Sequence, residues 1–90
     1  MQAQKLIGSF YGINVFVIDK KSTILLNYVG GDVETDFHMD IYTGEIEEKD
    51  DEEYLSIRNT LKGWYKDNRN DLINGFESGT YFPLKHWGDI

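Results

Sequence analysis

Apolar and polar residues alternate in the first half of the chain. Within residues 34–42, Phe37, Met39 and Ile41 fall on one side of an extended backbone and polar residues fall on the other. The two segments before it are rich in β-branched and aromatic residues and are bounded by turn-forming sequences. The pattern predicts a three-stranded antiparallel meander with one buried face. Its strands are INVFVI (13–18), TILLNYV (23–29) and ETDFHMDIY (34–42).

Two glycine-containing segments flank this meander. Gly12 precedes the first predicted strand, where a glycine indicates a bulge or a close backbone approach. The segment TGEI at 43–46 closes the third strand and is a candidate start for a short fourth one.

The second half of the chain has a helical period. Apolar residues recur at i, i+3, i+7 and i+10, which indicates an amphipathic helix. Asp50, followed by Glu53 three residues later, fits a capping box with Asp50 as the N-cap. The apolar stripe consists of Tyr54, Ile57, Leu61 and Trp64.

A second, shorter helix is predicted after this one. The polar run KDNRN at 66–70 is expected to end the first helix, and Asn70 can cap the second. Gly79 is expected to end the second helix. The segment TYFPLKHW at 80–87 is predicted to be extended, and its proline favours an edge strand or a strap over the core.

These elements predict a single α+β domain over residues 1–90, because a chain this short has no room for a second core. We expect a three- to four-stranded antiparallel sheet packed by two C-terminal helices. The strands fall within about 5–46, the helices within about 50–78, and an extended segment covers 80–90.

Composition narrows the class of protein. The chain has no cysteine, so disulfides and thiolate metal sites are excluded and a reducing compartment is favoured. The N-terminal segment has no long apolar run, which predicts neither a signal peptide nor a membrane span. We therefore expect a cytoplasmic protein, either a monomer or a homodimer, with no membrane association.

Negative charge is concentrated in one run. The formal net charge is −7, and residues 45–53 carry −6 of it. Carboxylates at the start of a helix complement its dipole, whereas a denser cluster suits a basic partner or imitates nucleic-acid phosphates. A calcium loop would need a turn glycine that the run lacks. The candidate partner-binding carboxylates are Glu45, Glu47, Glu48, Asp50, Asp51, Glu52 and Glu53.

A basic stripe is predicted along the first helix. Its four residues step by four, four and three positions, so they share one helix face. They form either a solvated face or a contact line for phosphates or an acidic partner. The residues are Arg58, Lys62, Lys66 and Arg69.

Reactive side chains are scarce. Asp36, His38 and Asp40 share one strand face, which is a weak candidate for a divalent metal or for acid–base chemistry. With only two histidines and no cysteine, a nucleophile and its base are hard to assemble. We expect no enzymatic activity, no metal and no cofactor.

Several short motifs resemble a small prokaryotic family of uncharacterised domains. They are FYGI at 10–13, MDIYTGEI at 39–46, a tryptophan-containing helical segment at 61–79 and PLKHW at 83–87. Members of that family typically run FYGI, a histidine–proline segment (HxPPHFHA), IDIxTGE and a tryptophan-containing helical tail. The positions that match are Phe10, Tyr11, Gly12, Asp40, Thr43, Gly44, Glu45, Trp64 and Leu72.

The chain departs from that family where the histidines would stand. DKKSTILLN at 19–27 has neither histidine nor proline, Asn68 or Arg69 replaces the tail histidine, and Phe76 replaces the second tryptophan. The family often occurs in gene pairs that resemble toxin–antitoxin systems, which implies binding to a protein or a nucleic acid. A chain that resembles the family in its other motifs but lacks these histidines is expected to be a binding module.

The leading expectation is a small acidic, non-catalytic protein-binding module or inhibitor. It would be encoded by a phage or mobile element and would target a nucleic-acid-binding or defence protein, as an anti-CRISPR-like or antitoxin-like protein does. Its partner would present a basic surface, and the acidic charge argues against direct nucleic-acid binding. The alternative is a toxin-like ribonuclease or nucleic-acid binder that uses the basic stripe, with His38 as acid and base. A self-association module that pairs edge strands is a third hypothesis.

Overall fold

The computed structural model describes residues 4–18, 20–48, 54–79 and 85–86, the last two and Val33 through their backbone alone. Four antiparallel strands come first in the chain, a long helix follows, and a two-residue strand comes last. The sheet order is β4-β3-β2-β1-β5, and β5 runs parallel to β1. The elements are β1 (Gln4–Phe10), β2 (Ile13–Ile18), β3 (Thr23–Gly30), β4 (Val33–Asp40), α1 (Leu55–Ser78) and β5 (Lys85–His86).

The α+β class and the antiparallel sheet are confirmed. The three predicted strands are present as β2, β3 and β4 with small changes at their ends. β1 precedes them and pairs with β2, so the antiparallel part has four strands. A register shift between Leu6 and Gly8 places a bulge within β1. The bulge therefore lies in β1 and not at Gly12, which belongs to the turn that follows. The close backbone approach expected at Gly12 is present, because the Val29 N–H donates to the Gly12 carbonyl at 3.3 Å.

The motif FYGI forms the tight turn between β1 and β2. Phe10 pairs with Ile13, so only Tyr11 and Gly12 lie between the strands. Their φ angles are 47° and 77°, and two left-handed residues in a two-residue loop define a type I′ turn. Glycine adopts this conformation without strain, whereas Tyr11 adopts it at a cost of about 1–2 kcal/mol. This turn also places the Phe10 ring against the helix.

A single helix replaces the two that were predicted, and this part of the prediction is wrong. α1 continues through residues 66–70, which contain no glycine or proline to stop it. Asn68 donates a side-chain hydrogen bond to the Trp64 carbonyl at 2.9 Å, so its amide is satisfied within the helix. Buried positions continue on both sides of this run, at Leu61, Trp64, Tyr65, Leu72 and Gly75. The helix ends at Gly79, as predicted, with a left-handed φ of 74°.

Two predictions near the helix ends fall partly beyond the described residues. The capping box of Asp50 and Glu53 lies outside them, and the first described residue of this region is Tyr54. Of the segment 80–87, residues 85–86 are described, and they pair with Gly8 and Ser9 at the edge of the sheet. An edge strand was one of the two structures predicted for this segment.

The core lies between one face of the sheet and α1. The ring of Phe10 stacks on Trp64, with 4.6 Å between centroids. Phe37 meets Tyr54, the N-cap residue of α1, edge to face at 6.1 Å, so aromatic contacts join β1 and β4 to the helix and its N-terminus. The strand residues in the core are Ile7, Phe10, Ile13, Val15, Val17, Ile24, Leu26, Phe37 and Met39.

Candidate functional site

The acidic segment after β4 folds back along the edge of the sheet. Met39 forms an isolated antiparallel bridge with Ile46, so TGEI does begin a short additional pairing. The Asp40 N–H donates to the Glu45 carbonyl at 2.9 Å, and the Glu47 N–H donates to the His38 carbonyl at 2.8 Å. Residues 45–48 therefore lie beside β4 with their backbone fixed.

The motif DIYTGE builds the turn that reverses the chain here. The Asp40 carboxylate accepts hydrogen bonds from the N–H groups of Tyr42 and Thr43, at 2.8 and 3.2 Å. The Thr43 hydroxyl accepts one from the Glu45 N–H at 3.1 Å. Gly44 adopts φ +77°, and a Cβ there would lie 2.5 Å from the ring of Tyr65. The side chains of Asp40 and Thr43 thus have local structural roles in the turn.

The helix holds the turn from the other side. The Tyr65 hydroxyl, buried in the core, donates to the Ile41 carbonyl at 2.7 Å. Arg69 donates to the Tyr42 carbonyl at 3.2 Å, and Arg58 donates to the Glu48 carbonyl at 3.1 Å. These bonds fix both ends of residues 41–48 to α1, at Ile41 and Tyr42 and at Glu48.

Two arginines of the predicted basic stripe therefore face this acidic segment. Arg58 is only 7% exposed and lies under residues 45–48. Lys62 is exposed beside it, and Lys66 is exposed one helical turn further on. Arg69 is exposed but bonded to Tyr42. The four residues share one side of the helix, as predicted, but they do not form a uniformly exposed line.

The Glu48 carboxylate is clamped by His38. Its two oxygens accept from the His38 N–H and contact the His38 Nδ1, both at 2.6 Å. Burial raises the pKa of Glu48, but the hydrogen bonds from the backbone and ring of His38 outweigh it and bring the pKa below its ordinary value. Glu48 thus remains an anion that ties the acidic segment to β4.

His38, Glu47 and Glu48 have ligand atoms within 4.8 Å of one another, which is close enough to hold a metal ion. This set differs from the predicted one, because Glu47 and Glu48 replace Asp36 and Asp40. A metal between Nδ1 and the Glu48 oxygen would have to displace their hydrogen bond. The hydrogen bonds of His38 with Glu47 and Glu48 are explained by their role in anchoring residues 45–48 to β4.

An acidic surface results along β4 and the segment beside it. Residues 34–48 contain six carboxylates and no lysine or arginine. Ile46 packs against the core, so the exposed residues Glu45 and Glu47 project away from it. We call the six residues the acidic edge: Glu34, Asp36, Asp40, Glu45, Glu47 and Glu48.

Only three members of the acidic edge, Glu45, Glu47 and Glu48, belong to the acidic run predicted from the sequence. Glu34, Asp36 and Asp40 come earlier in the chain, and strand pairing brings residues 45–48 alongside them. The sequence does carry a signal for these three residues, because carboxylates at 34, 36 and 40 fall on one face of a predicted strand. Asp50, Asp51, Glu52 and Glu53 lie outside the described residues.

An open cleft of about 500 Å³ borders the acidic edge. Asp40, Glu45 and Glu47 line it on one side, and Arg58 and Lys62 line it on the other. The exposed ring of Tyr42 lies nearby on the same turn, and its hydroxyl donates to Glu77 at 3.0 Å. An anchored aromatic ring beside fixed carboxylates is a combination that suits protein contacts.

Fold and site together define an α+β domain that presents a rigid acidic strand edge. No family model, curated protein or solved structure matches the chain. None of the described helices is long and apolar enough to cross a membrane.

Proposed function

We propose that this protein is a small, non-catalytic binding module or inhibitor whose acidic edge docks on the basic surface of a partner protein. The observation that carries the proposal is the density of fixed carboxylates along β4 and residues 45–48. They form one surface because strand pairing brings two acidic segments together.

Rigidity is what makes this surface suited to recognition. The backbone of residues 40–48 is tied to both β4 and α1, so little conformational entropy is lost when a partner binds. Clustered charge of one sign also accelerates encounter with a complementary surface and rejects like-charged proteins. Basic surfaces of this kind occur on nucleic-acid-binding proteins, which are the target class we propose.

The competing ribonuclease hypothesis depends on groups that are engaged in the fold. Arg58 is buried, Arg69 is bonded to Tyr42, and His38 is bonded to Glu48. A phosphate-binding line would need Arg58 to leave its buried position, and phosphates would have to share Arg69 and His38 with their present partners. The geometry therefore supports protein binding better than catalysis on RNA.

Affinity capture from the cell of origin tests the proposal. Wild-type protein is compared with Glu47→Lys and with Asp67→Lys, a matched reversal at an exposed helix position away from the acidic edge. We expect a specific partner whose recovery falls at least tenfold with Glu47→Lys and stays unchanged with Asp67→Lys. A triple reversal of Asp51, Glu52 and Glu53 extends the test to the rest of the acidic run.

Equal recovery with all acidic reversals would contradict the proposal. So would cleavage of RNA by the purified protein that disappears in His38→Ala, because that result would assign catalysis to the His38–Glu48 pair. Folding of each variant is checked by circular dichroism before capture.

A further inference from the structure

β4 has an open backbone edge next to the acidic segment. Among the described strands it is the last one on one side of the sheet, and it is paired with β3. Gly30 pairs with Val33 across a two-residue turn, so residues 33, 35, 37 and 39 exchange hydrogen bonds with β3. The backbone groups of 34, 36, 38 and 40 consequently point outward.

Half of this outward edge is already used. The N–H groups of His38 and Asp40 bond Glu48 and Glu45, and the His38 carbonyl bonds Glu47. Across the described parts of the chain, no hydrogen bond reaches the outward N–H or C=O of Glu34 or Asp36. Residues 45–48 thus show that this edge accepts an antiparallel strand, and their hydrogen bonds cover the edge from Asp40 to His38, where the described part of this segment ends.

Side chains make the open part of the edge selective. Glu34 and Asp36 both accept hydrogen bonds from the Asn27 amide group, at 3.1 and 2.7 Å. One amide nitrogen therefore holds two carboxylates side by side on the outer sheet face. A second copy of this chain would place the same carboxylates against them, which is destabilising, whereas lysine or arginine would pair with them.

We propose that the partner contributes an extended basic strand, which pairs antiparallel with β4 at Glu34 and Asp36. The inference rests on the proposed function and adds its binding mode. The incoming strand continues the pairing begun by residues 45–48. Its backbone meets the N–H and C=O groups of Glu34 and Asp36, which no described residue bonds, and alternate lysine or arginine side chains meet Glu34, Asp36 and Glu47.

Proline and threonine variants separate backbone pairing from charge. Proline is tolerated at edge positions whose N–H points outward, because no bond to the neighbouring strand is lost. Asp36→Pro removes the N–H and the charge, while Asp36→Thr removes the charge alone. The same pair is made at Glu34, and thermal unfolding confirms that each variant is folded.

The probe is a synthetic heptapeptide that alternates lysine with threonine, followed by NMR titration of the labelled protein. Each lost backbone bond is expected to weaken binding by about three- to tenfold, so each proline variant should bind that much more weakly than its threonine counterpart. The amide protons of Glu34 and Asp36 should also become protected from exchange in the complex. A peptide with proline replacing its central threonine keeps the charge and should bind correspondingly more weakly.

The other possible results of the titration contradict the strand pairing, the acidic docking surface or the identity of the bound strand. Binding that falls with Glu47→Lys but is equal in the proline and threonine variants would overturn strand pairing and leave the acidic surface as a docking site. If binding is insensitive to every acidic reversal, or if the peptide does not bind, both the strand pairing and the acidic docking surface are contradicted. If the protein instead associates with itself through the amides of Glu34 and Asp36, the ligand of this edge is a second copy of the chain and not a basic strand of a partner.

Discussion

At the scale of single residues, the acidic turn depends on residues other than the exposed carboxylates that a partner would meet. Gly44 permits the close approach of Tyr65, and Tyr65 in turn holds the Ile41 carbonyl. The carboxylates that define the surface are therefore positioned by a glycine, a tyrosine and two arginines. Changes at these supporting positions should alter stability more than changes at the exposed carboxylates do.

Replacing Gly44 with alanine should destabilise the fold. Its φ of +77° is strained for alanine, and the added Cβ would overlap the Tyr65 ring. We expect a loss of about 2–4 kcal/mol in the free energy of unfolding, measured by urea denaturation. Gly63→Ala is the matched control, because its Cβ would meet nothing within 4 Å and the position is helical. That change should stabilise the protein by about 0.5–1 kcal/mol.

Arg58 should contribute to stability through its hydrogen bond and its burial. Arg58→Lys keeps a positive charge but loses the geometry that reaches the Glu48 carbonyl. We expect about 1–3 kcal/mol of destabilisation by chemical denaturation. Lys62→Met changes an exposed neighbour in the same cleft and should stay within about 0.5 kcal/mol of wild type. Equal changes in the free energy of unfolding for the two variants would show that the hydrogen bond from Arg58 to the Glu48 carbonyl does not stabilise the fold.

At the scale of secondary structure, the continuity of α1 determines how its basic residues are arranged. One unbroken helix carries Arg58 and Arg69 along the same turn segment, so that both ends of residues 42–48 are bound. Two shorter helices would have allowed the second arginine to point elsewhere. The length of the helix is thus a condition for the rigidity of the acidic edge.

Asn70→Ala tests this continuity by the sign of its effect. Inside a continuous helix, replacing an exposed asparagine with alanine should raise stability by about 0.5 kcal/mol. If Asn70 capped a separate helix, the same change would lower stability by about 1 kcal/mol. Thermal and urea denaturation measure the direction, and Asn59→Ala near the helix start provides an exposed control within α1.

The strands could be predicted because their period-two pattern is also the pattern of burial. Phe37 and Met39 face the core as their alternation indicated. The polarity of residues 66–70 predicts a helix break there, and that prediction is wrong because polar side chains fit an exposed helix face and Asn68 donates to the Trp64 carbonyl. The burial of Arg58 depends on residues 45–48 folding over it, a tertiary contact that helical spacing does not encode.

At the scale of the whole molecule, the contact between His38 and Glu48 makes the stability of the fold depend on pH. The folded-state pKa of Glu48 is lowered, so this carboxylate stabilises the fold above its unfolded pKa. That contribution is lost as the pH falls below the ordinary value of about 4.5 and through the lowered folded pKa. Acidification should therefore weaken the attachment of the acidic segment to β4, while the backbone hydrogen bonds of Glu45 and Glu47 remain.

Glu48→Gln should isolate this effect. Glutamine keeps an oxygen for the His38 N–H but does not titrate, so the variant should lose less stability than wild type between pH 5 and pH 3, values bracketing the ordinary pKa of about 4.5. Urea denaturation at a series of pH values measures the difference, and Glu45→Gln serves as an exposed control. Parallel curves for wild type and Glu48→Gln would contradict the clamp.

The parallel pairing of β5 with β1 has a consequence for folding order. Gly8 and Ser9 meet Lys85 and His86 only after almost the whole chain has been brought together, and two residues of pairing compensate little of that loop-closure entropy. β5 should consequently dock last during refolding and detach first under native conditions. Native-state hydrogen exchange should show early opening at Lys85 and His86, while the central strand β2 exchanges only through global unfolding.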